Sequence, residues 1–324
     1  MKTRRLGKTN LQVSEIGFGG EWLERHPEEE GIELIHYAAS QGINILDCWM
    51  ADPKSRDIIG KGIKENRSQW FIQGHIGSTW KDEQYFRTRD MRYVRPAFED
   101  LLKRLQTDYV DLYYLHRIDE KIPVEDVAQV MGTLIKEGLI RGWGLSQVDV
   151  DTLASAHQIT PVTAVQNIYS IVERDCEKAI FPYCLENHIG VVPFSPIASG
   201  FLSGKVTVDT AYEKVDDVRV WVPQLTKENI AANQPILEVL QRFAHQKDAT
   251  SAQLSLAWML HKYPNCVPIP GSKNQERIIE NLGACHVKLT TEEFHQLEAA
   301  LNTCEVHGHR GHVESMGKRW GEKK

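Results

Sequence analysis

The chain has 324 residues, of which 41% are hydrophobic and 25% charged, the usage of an ordinary globular protein rather than a disordered or fibrous one. Its length suits one large domain, and a single domain over residues 1–324, with a tail from about residue 301, is the simplest reading. The net charge of −6 leaves no bulk positive charge to neutralise a phosphate backbone, which argues against nucleic acid as a partner.

Short apolar runs recur along the chain, most of them followed by a stretch with helical apolar spacing, the alternation of a parallel sheet with crossover helices. An amino-terminal segment over residues 2–13 carries a Gly7-Lys8-Thr9-Asn10 turn and reads as a hairpin. Strand runs follow at 15–20, 44–49, 70–77, 110–116, 140–146, 164–169, 190–195 and 266–271. Between them, apolar stripes predict helices over 29–40, 96–105, 124–137, 174–187, 237–245 and 275–284, with Pro96 suited to the first turn of its helix. Eight such units predict a closed α/β barrel of the (β/α)8 TIM type. After Ser195 some 40 residues pass before the next clear helix, and long excursions at the carboxyl end of a barrel strand commonly build active sites.

Polar residues follow the charged start at residues 1–5, and no apolar stretch reaches membrane-spanning length. Cys48, Cys176, Cys184, Cys266, Cys285 and Cys304 are scattered, without the CxxC spacing of a zinc or iron-sulfur site. Free thiols in a reducing compartment fit, and the expected location is cytoplasmic, with no membrane partner. The sequon Asn66-Arg67-Ser68 then carries no weight.

The strand ends carry ordered motifs: Gly17-Phe18-Gly19-Gly20 after the hairpin, Gly42-Ile43-Asn44-Ile45-Leu46-Asp47 at the second run and Asp108 through His116 (DYVDLYYLH) at the fourth. Gly142-Trp143-Gly144-Leu145-Ser146, Gln166-Asn167-Ile168-Tyr169-Ser170, Phe194-Ser195-Pro196-Ile197 and Ile269-Pro270-Gly271-Ser272-Lys273 follow at the fifth to eighth. In this order and at this spacing, the chain resembles the aldo-keto reductases over essentially its whole length. The resemblance implies a barrel that binds NADP(H) without a Rossmann glycine motif and passes hydride to or from a carbonyl carbon of a small polar alcohol or ketone. It implies a cofactor set of Gly19, Gly20, Ser146, Gln147, Gln166, Phe194, Ser195, Ile197, Gly271, Ser272, Lys273, Arg277, Glu280 and Asn281. In that set Phe194 stacks on the nicotinamide, and Gln166 and Ser146 bond its carboxamide side. Ser195 and Ile197 line the pyrophosphate, Ser272, Lys273 and Arg277 meet the 2′-phosphate, and Glu280 and Asn281 lie near adenine. A lysine and an arginine fork beside a helix amino terminus make a sound phosphate site. Gln147 stands where the family usually has asparagine.

The catalytic positions depart from the pattern. Of the family's Asp, Tyr, Lys and His, Asp47 and His116 match, whereas Asp52 occupies the tyrosine position and His75 the lysine position. A free aspartic acid titrates near 3.9, so keeping Asp52 protonated at pH 7 costs about 4 kcal/mol, while an ordinary imidazole already exchanges protons near neutrality. Histidine is therefore the expected acid-base group: His116 or His75 exchanges a proton with the substrate oxygen, while Asp47 and Asp52 orient and stabilise the imidazolium. Two other readings stand beside it. The same four side chains, Asp47, Asp52, His75 and His116, are competent metal ligands and would suit a lyase, isomerase or hydrolase; or the barrel has lost its chemistry and only binds.

Further features stay outside this set. Arg87, Arg89, Arg92 and Arg95 cluster beside Tyr85 and Tyr93, as a site for an acidic or hydroxyl-rich substrate or as a set of surface ion pairs. His307, His309 and His312 form a histidine-rich run, read either as a flexible tail or as a segment folded near substrate. The run from Gly200 to Val206 lacks Walker spacing, and Asp111 and Trp143 read as structural.

Overall fold

The computed structural model describes residues 2–9, 11–48, 53–76, 79–81, 84–86, 94–117, 122–212 and 217–310. Two compact units emerge: one built from residues up to 167 with 177–194 and 265–279, the other from 168–176, 195–264 and 280 onward.

The first unit opens with the expected hairpin, β1 (Thr3–Arg5) antiparallel to β2 (Gln12–Ser14). A parallel sheet then takes β3 (Phe18–Gly19), β4 (Ile45–Asp47) and β5 (Phe71–Ile76). After an antiparallel backbone pair, β6 (Thr79–Lys81) and β7 (Gln84–Phe86), it continues through β8 (Val110–Leu115), β9 (Ile140–Ser146), β10 (Ala164–Gln166) and β11 (Gly190–Val191). The seven strands lie in sequence order around the sheet. The eighth run closes it: Val267 and Ile269 donate their N–H groups to Val191 and Pro193, and the Pro268 and Pro270 carbonyls accept from Gly17 and Gly19. Pro268 and Pro270 have no N–H to return to the Gly17–Gly19 side, and Pro193 has none to return to the side of Val267 and Ile269, so the two seams form single bridges, Gly19 to Gly271 and Val191 to Cys266, instead of full ladders. Every one of the eight predicted runs thus contributes to one closed ring.

Inside the ring, Leu6, Val13, Ile45, Phe71, Leu112, Tyr114, Ala164, Val192, Val267 and Ile269 form a buried apolar plug. Burying such side chains is worth about 1.5–3 kcal/mol each, which is what drives alternate strand residues inward. Gly19 and Gly20 serve the closure: a Cβ at Gly19 would meet the Ile269 carbonyl oxygen at 2.8 Å, and one at Gly20 the Asp47 carbonyl oxygen at 2.4 Å.

The helices of this unit are α1 (Glu28–Ser40), α2 (Pro53–Ile63), α3 (Val94–Leu105), α4 (Val124–Lys136), α5 (Val150–Ile159) and α6 (Ile180–Glu186). The single helix expected over 174–187 is instead a 3-10 turn at Asp175–Glu177 and the shorter α6. Pro182 is the reason, since its ring would strike the carbonyl of Lys178 in a continuous helix. Helix α2 has no clear sequence signal because Gly60 and Gly62 weaken it, yet both are needed: a Cβ on Gly60 would lie 2.2 Å from the Arg104 carbonyl oxygen.

The second unit holds α7 (Lys227–Ala232), α8 (Gln234–Gln246), α9 (Ser251–Lys262) and α11 (Thr291–Asn302); α10 (Gln275–Gly283) begins in the first unit and ends in the second. Helix α9 is buried on nearly every side and so shows no apolar stripe in sequence. The capping boxes Thr250 with Gln253 and Thr290 with Glu293, which mark the starts of α9 and α11, are legible signals that the apolar-stripe criterion passes over. Among the described residues no helix is long and apolar enough to cross a membrane.

Candidate active site

The carboxyl ends of the parallel strands gather the polar residues of the ring. Asp47 ends β4, His75 is the last residue but one of β5, His116 follows β8, Ser146 ends β9 and Gln166 ends β10. Backbone bonds carry the ladder beyond the strands: His116 donates to the Ile76 carbonyl at 2.7 Å and Cys48 to the Gln73 carbonyl at 2.8 Å. This end is where barrel enzymes place their chemistry.

At its centre is a buried carboxylate with two donors. His75 Nε2 lies 2.8 Å from Asp47 Oδ2, and the Gln166 side-chain amide donates to the same oxygen at 2.7 Å. A carboxylate only accepts, so His75 donates through Nε2, and in the neutral ring Nδ1 carries the lone pair. That Nδ1 is buried and has no hydrogen-bond partner among the described residues, as is also true of the Ser146 hydroxyl, the Tyr114 phenol and the Gln73 side-chain amide. Each such group costs about 1–3 kcal/mol, a concentration tolerated where polar atoms are kept for a ligand.

Aromatic contacts fix the imidazoles. The His75 ring stacks on Tyr114 at 5.1 Å, and His116 meets it edge-on at 5.8 Å. Burial, with the Asp47 charge adding to it, pushes the Tyr114 phenol well above its usual range, so it stays protonated. Nothing in sequence separates Tyr114 from its core neighbours; its place beneath His75 follows from strand register. Burial likewise pushes the Cys48 thiol up to about 12, which makes it an inert neighbour of Asp47.

Of the remaining candidates in this unit, Gln147 has a left-handed φ of 53°. Asparagine adopts that conformation more readily than glutamine, a physical reason for asparagine there. Phe194 is partly buried against the apolar plug, and Ser272 is buried. Lys273 Nζ sits 4.2 Å from the centre of the Trp22 ring, which Arg25 also covers at 4.3 Å. Gly271 faces Trp22 too, where a Cβ would come within 2.8 Å. Asn274 Oδ1 accepts the Arg277 N–H at 3.0 Å and so caps α10.

Ser195, Ile197, Glu280 and Asn281 belong to the second unit. There Ser195 has a φ of 50° and its hydroxyl accepts from Arg310 Nε at 3.3 Å. Asn281 is buried, and Glu280 pairs with Lys205 at 3.2 Å.

Asp52 lies outside the described residues, as do Arg87, Arg89, Arg92, Tyr93 and His312, and of Tyr85 only the backbone is described. Arg95 pairs with Glu137 at 2.5 Å, in keeping with a surface ion pair. Among the described residues no three His, Cys, Asp or Glu side chains come together as a metal site. Asp111 is structural: it accepts from Arg67, Arg141 and the Ile72 N–H, each at 2.9 Å. Trp143 donates to the Thr160 carbonyl from a fully buried position.

A closed parallel α/β barrel with a histidine-carboxylate pair at its carboxyl-terminal rim defines a barrel of the enzyme-bearing class. The chain belongs to the aldo/keto reductase family, whose model matches residues 15–302. A probable aldo-keto reductase of Glycine max is 35% identical over 317 residues, covering 94% of this chain and 90% of that protein. Among solved structures, a glycerol dehydrogenase from Gluconobacter oxydans superposes with a TM-score of 0.85 at 24% identity, covering 94% of this chain and 96% of that one. An aldo-keto reductase from Klebsiella pneumoniae, solved in complex with NADPH, does so with a TM-score of 0.70 at 24% identity, covering 92% and 94%.

Proposed function

We propose that the protein is an NADP(H)-dependent oxidoreductase that interconverts an alcohol and a carbonyl on a small polar substrate, with histidine and aspartate as its acid-base pair. The observation that carries the reading is the buried Asp47–His75 bond, which directs the basic nitrogen of His75 away from the carboxylate. Family membership supports the reaction class, and the NADPH complex of the Klebsiella pneumoniae relative supports the cofactor.

The residues present fit a nicotinamide dinucleotide. The buried, unsatisfied Ser146 hydroxyl suits a carboxamide, the Phe194 ring suits a stacked nicotinamide, and Ser272, Lys273 and Arg277 at the capped start of α10 suit the 2′-phosphate. When bound, the cofactor supplies or accepts the hydride. Asp47, shared by His75 and Gln166, fixes the His75 tautomer and stabilises its imidazolium. His116, 6% exposed against 2% for His75, is the better placed of the two to meet a substrate oxygen, with His75 packed edge-on behind it. In the oxidising direction a neutral imidazole takes the hydroxyl proton; in the reducing direction the imidazolium returns it.

The test is a fluorescence titration with NADPH and NADH together with turnover assays over small polyols, hydroxy acids and ketones. Replacing both histidines, His75→Asn with His116→Asn, is expected to abolish turnover and leave NADPH affinity within about twofold. Retained turnover in the double variant rejects the acid-base assignment, and absence of binding in the wild type rejects the cofactor.

A further inference from the structure

Along β5 the side chains of Phe71, Gln73 and His75 alternate onto the inward face of the ring, the face that carries the apolar plug. Register sets their neighbours: Gln73 lies beside Asp47 of β4 and Leu112 of β8, and His75 beside Tyr114 of β8. On the other side of Tyr114, Gly144 of β9 makes room for the phenol ring, which a Cβ there would meet at 2.4 Å. Beyond Gly144 the register partner on β10 is Ala164, again a small residue. Neighbouring strands thus make way for a tyrosine beside the imidazole, inside an otherwise apolar plug.

This part of the ring is sealed, with Gln73 and Tyr114 fully buried and His75 nearly so. Its polar atoms are nevertheless unmatched: Tyr114 Oη, Gln73 Oε1 and Nε2, and His75 Nδ1 have no hydrogen-bond partner among the described residues. Both ends of the Gln73 amide are affected, so turning it over changes nothing. A buried polar group without a partner is destabilising, and leucine at 73 or phenylalanine at 114 would remove the defect at nearly the same volume. Unmatched atoms gathered on two adjacent strands call for a bridging species. In a space closed to solvent the one small enough is water, which takes two to four polar partners. Burial, with the Asp47 charge adding to it, keeps the Tyr114 phenol protonated, so it both donates and accepts.

We propose that Gln73 and Tyr114 are positioning residues that hold an internal water on His75 Nδ1. Such a water serves both states of the ring: it donates to the bare nitrogen and, once Nδ1 gains a proton, turns to accept from it. Asp47 takes the Nε2 proton in both states, so the imidazolium has a partner at each nitrogen. Without the water a protonated Nδ1 is a buried N–H with nothing to bond, and the ring gives up its proton more readily. Among the described residues the titratable groups facing His75 are Asp47 from β4, Tyr114 from β8 and His116 just beyond β8. The catalytic consequence rests on the acid-base reading above.

A crystal structure of the full chain without added nucleotide tests the water itself, and Gln73→Leu and Tyr114→Phe test its role, each with a melting curve and a pH profile of kcat for alcohol oxidation. The expected structure has an ordered water within about 3.0 Å of Nδ1 that also bonds Tyr114 Oη or the Gln73 amide. Both variants are expected to move the acidic limb of the profile about one unit toward lower pH, and neither to melt above the wild type. Polar atoms that are merely orphaned give the opposite result, variants that melt higher with an unmoved limb, and that outcome overturns the proposal. So does a crystal structure in which Nδ1 meets a side chain or no water at all. A water in place with an unmoved limb in both variants overturns the positioning role. If one variant loses its cooperative melt, the other decides alone. Retained turnover in the His75→Asn, His116→Asn double variant defeats the acid-base reading instead, and the water then stands or falls on the crystal structure and the melting curves.

Discussion

His75 Nε2 stands 2.8 Å from Asp47 Oδ2, and both side chains are almost wholly buried at the ends of neighbouring strands. A lysine at residue 75 would offer Asp47 a point charge with no base of its own. An imidazole offers a donor on one side and a proton acceptor on the other.

Asp47→Asn tests that pairing. The amide no longer holds the imidazolium or selects its tautomer, and turnover is expected to fall about 10²–10⁴-fold while NADPH affinity changes little. Single-turnover kinetics beside the binding titration check the split, and an unchanged rate would remove Asp47 from the mechanism.

Lys273 is poised over Trp22 by a cation-π contact. Lys273→Met is expected to weaken NADPH about tenfold and NADH less than twofold, since only NADPH has the extra phosphate. Equal losses for the two nucleotides would contradict the 2′-phosphate assignment.

Asp111 is buried between Arg67 and Arg141 and also holds the Ile72 N–H. Asp111→Ala leaves two guanidinium groups without their carboxylate and is expected to cost about 3–5 kcal/mol in urea unfolding. A cost below about 1 kcal/mol would show that these contacts are dispensable.

Gln147 occupies the left-handed region without the short side chain that suits it. Gln147→Asn is expected to raise stability by several tenths of a kcal/mol to about 1 kcal/mol, read from the urea midpoint. A destabilised variant would mean that the longer amide makes contacts worth more than the backbone strain.

Glu173 and Glu293 bend the pH-stability profile in opposite directions. The folded pKa of Glu173, about 7, lies above its ordinary 4.5, so its contribution is present in full below about 4.5 and is lost as pH rises through 7. Glu293 is lowered to about 2, first by its bond to Lys247 and then by the Thr290 N–H, so its contribution is present above about 4.5 and is lost as pH falls toward 2. Urea midpoints from pH 4.5 to 8 for the wild type and Glu173→Gln are expected to converge at the alkaline side less well than at the acid side. Parallel profiles would contradict the raised carboxyl.

Sequence by itself determined what is local. Apolar runs marked the seven strands of the parallel sheet and the eighth run that bridges its edges, the Gly7 turn marked the hairpin, and the motifs at the strand ends identified the family. These features repeat within a few residues, because the strand pleat, the helical turn and the tight turn are short-range geometries. It did not mark α2, whose Gly60 matters only because Arg104 lies against it, nor α9, whose apolar residues face protein on nearly every side. The joining of Gln166 to Asp47 across 119 residues, and of Arg310 to Ser195 across 115, was decided only by the tertiary structure. The reason is physical: a side-chain hydrogen bond is fixed to tenths of an ångström by which strand ends and segments pack together. Nothing in the spacing of Asp47 and Gln166 along the chain carries that distance.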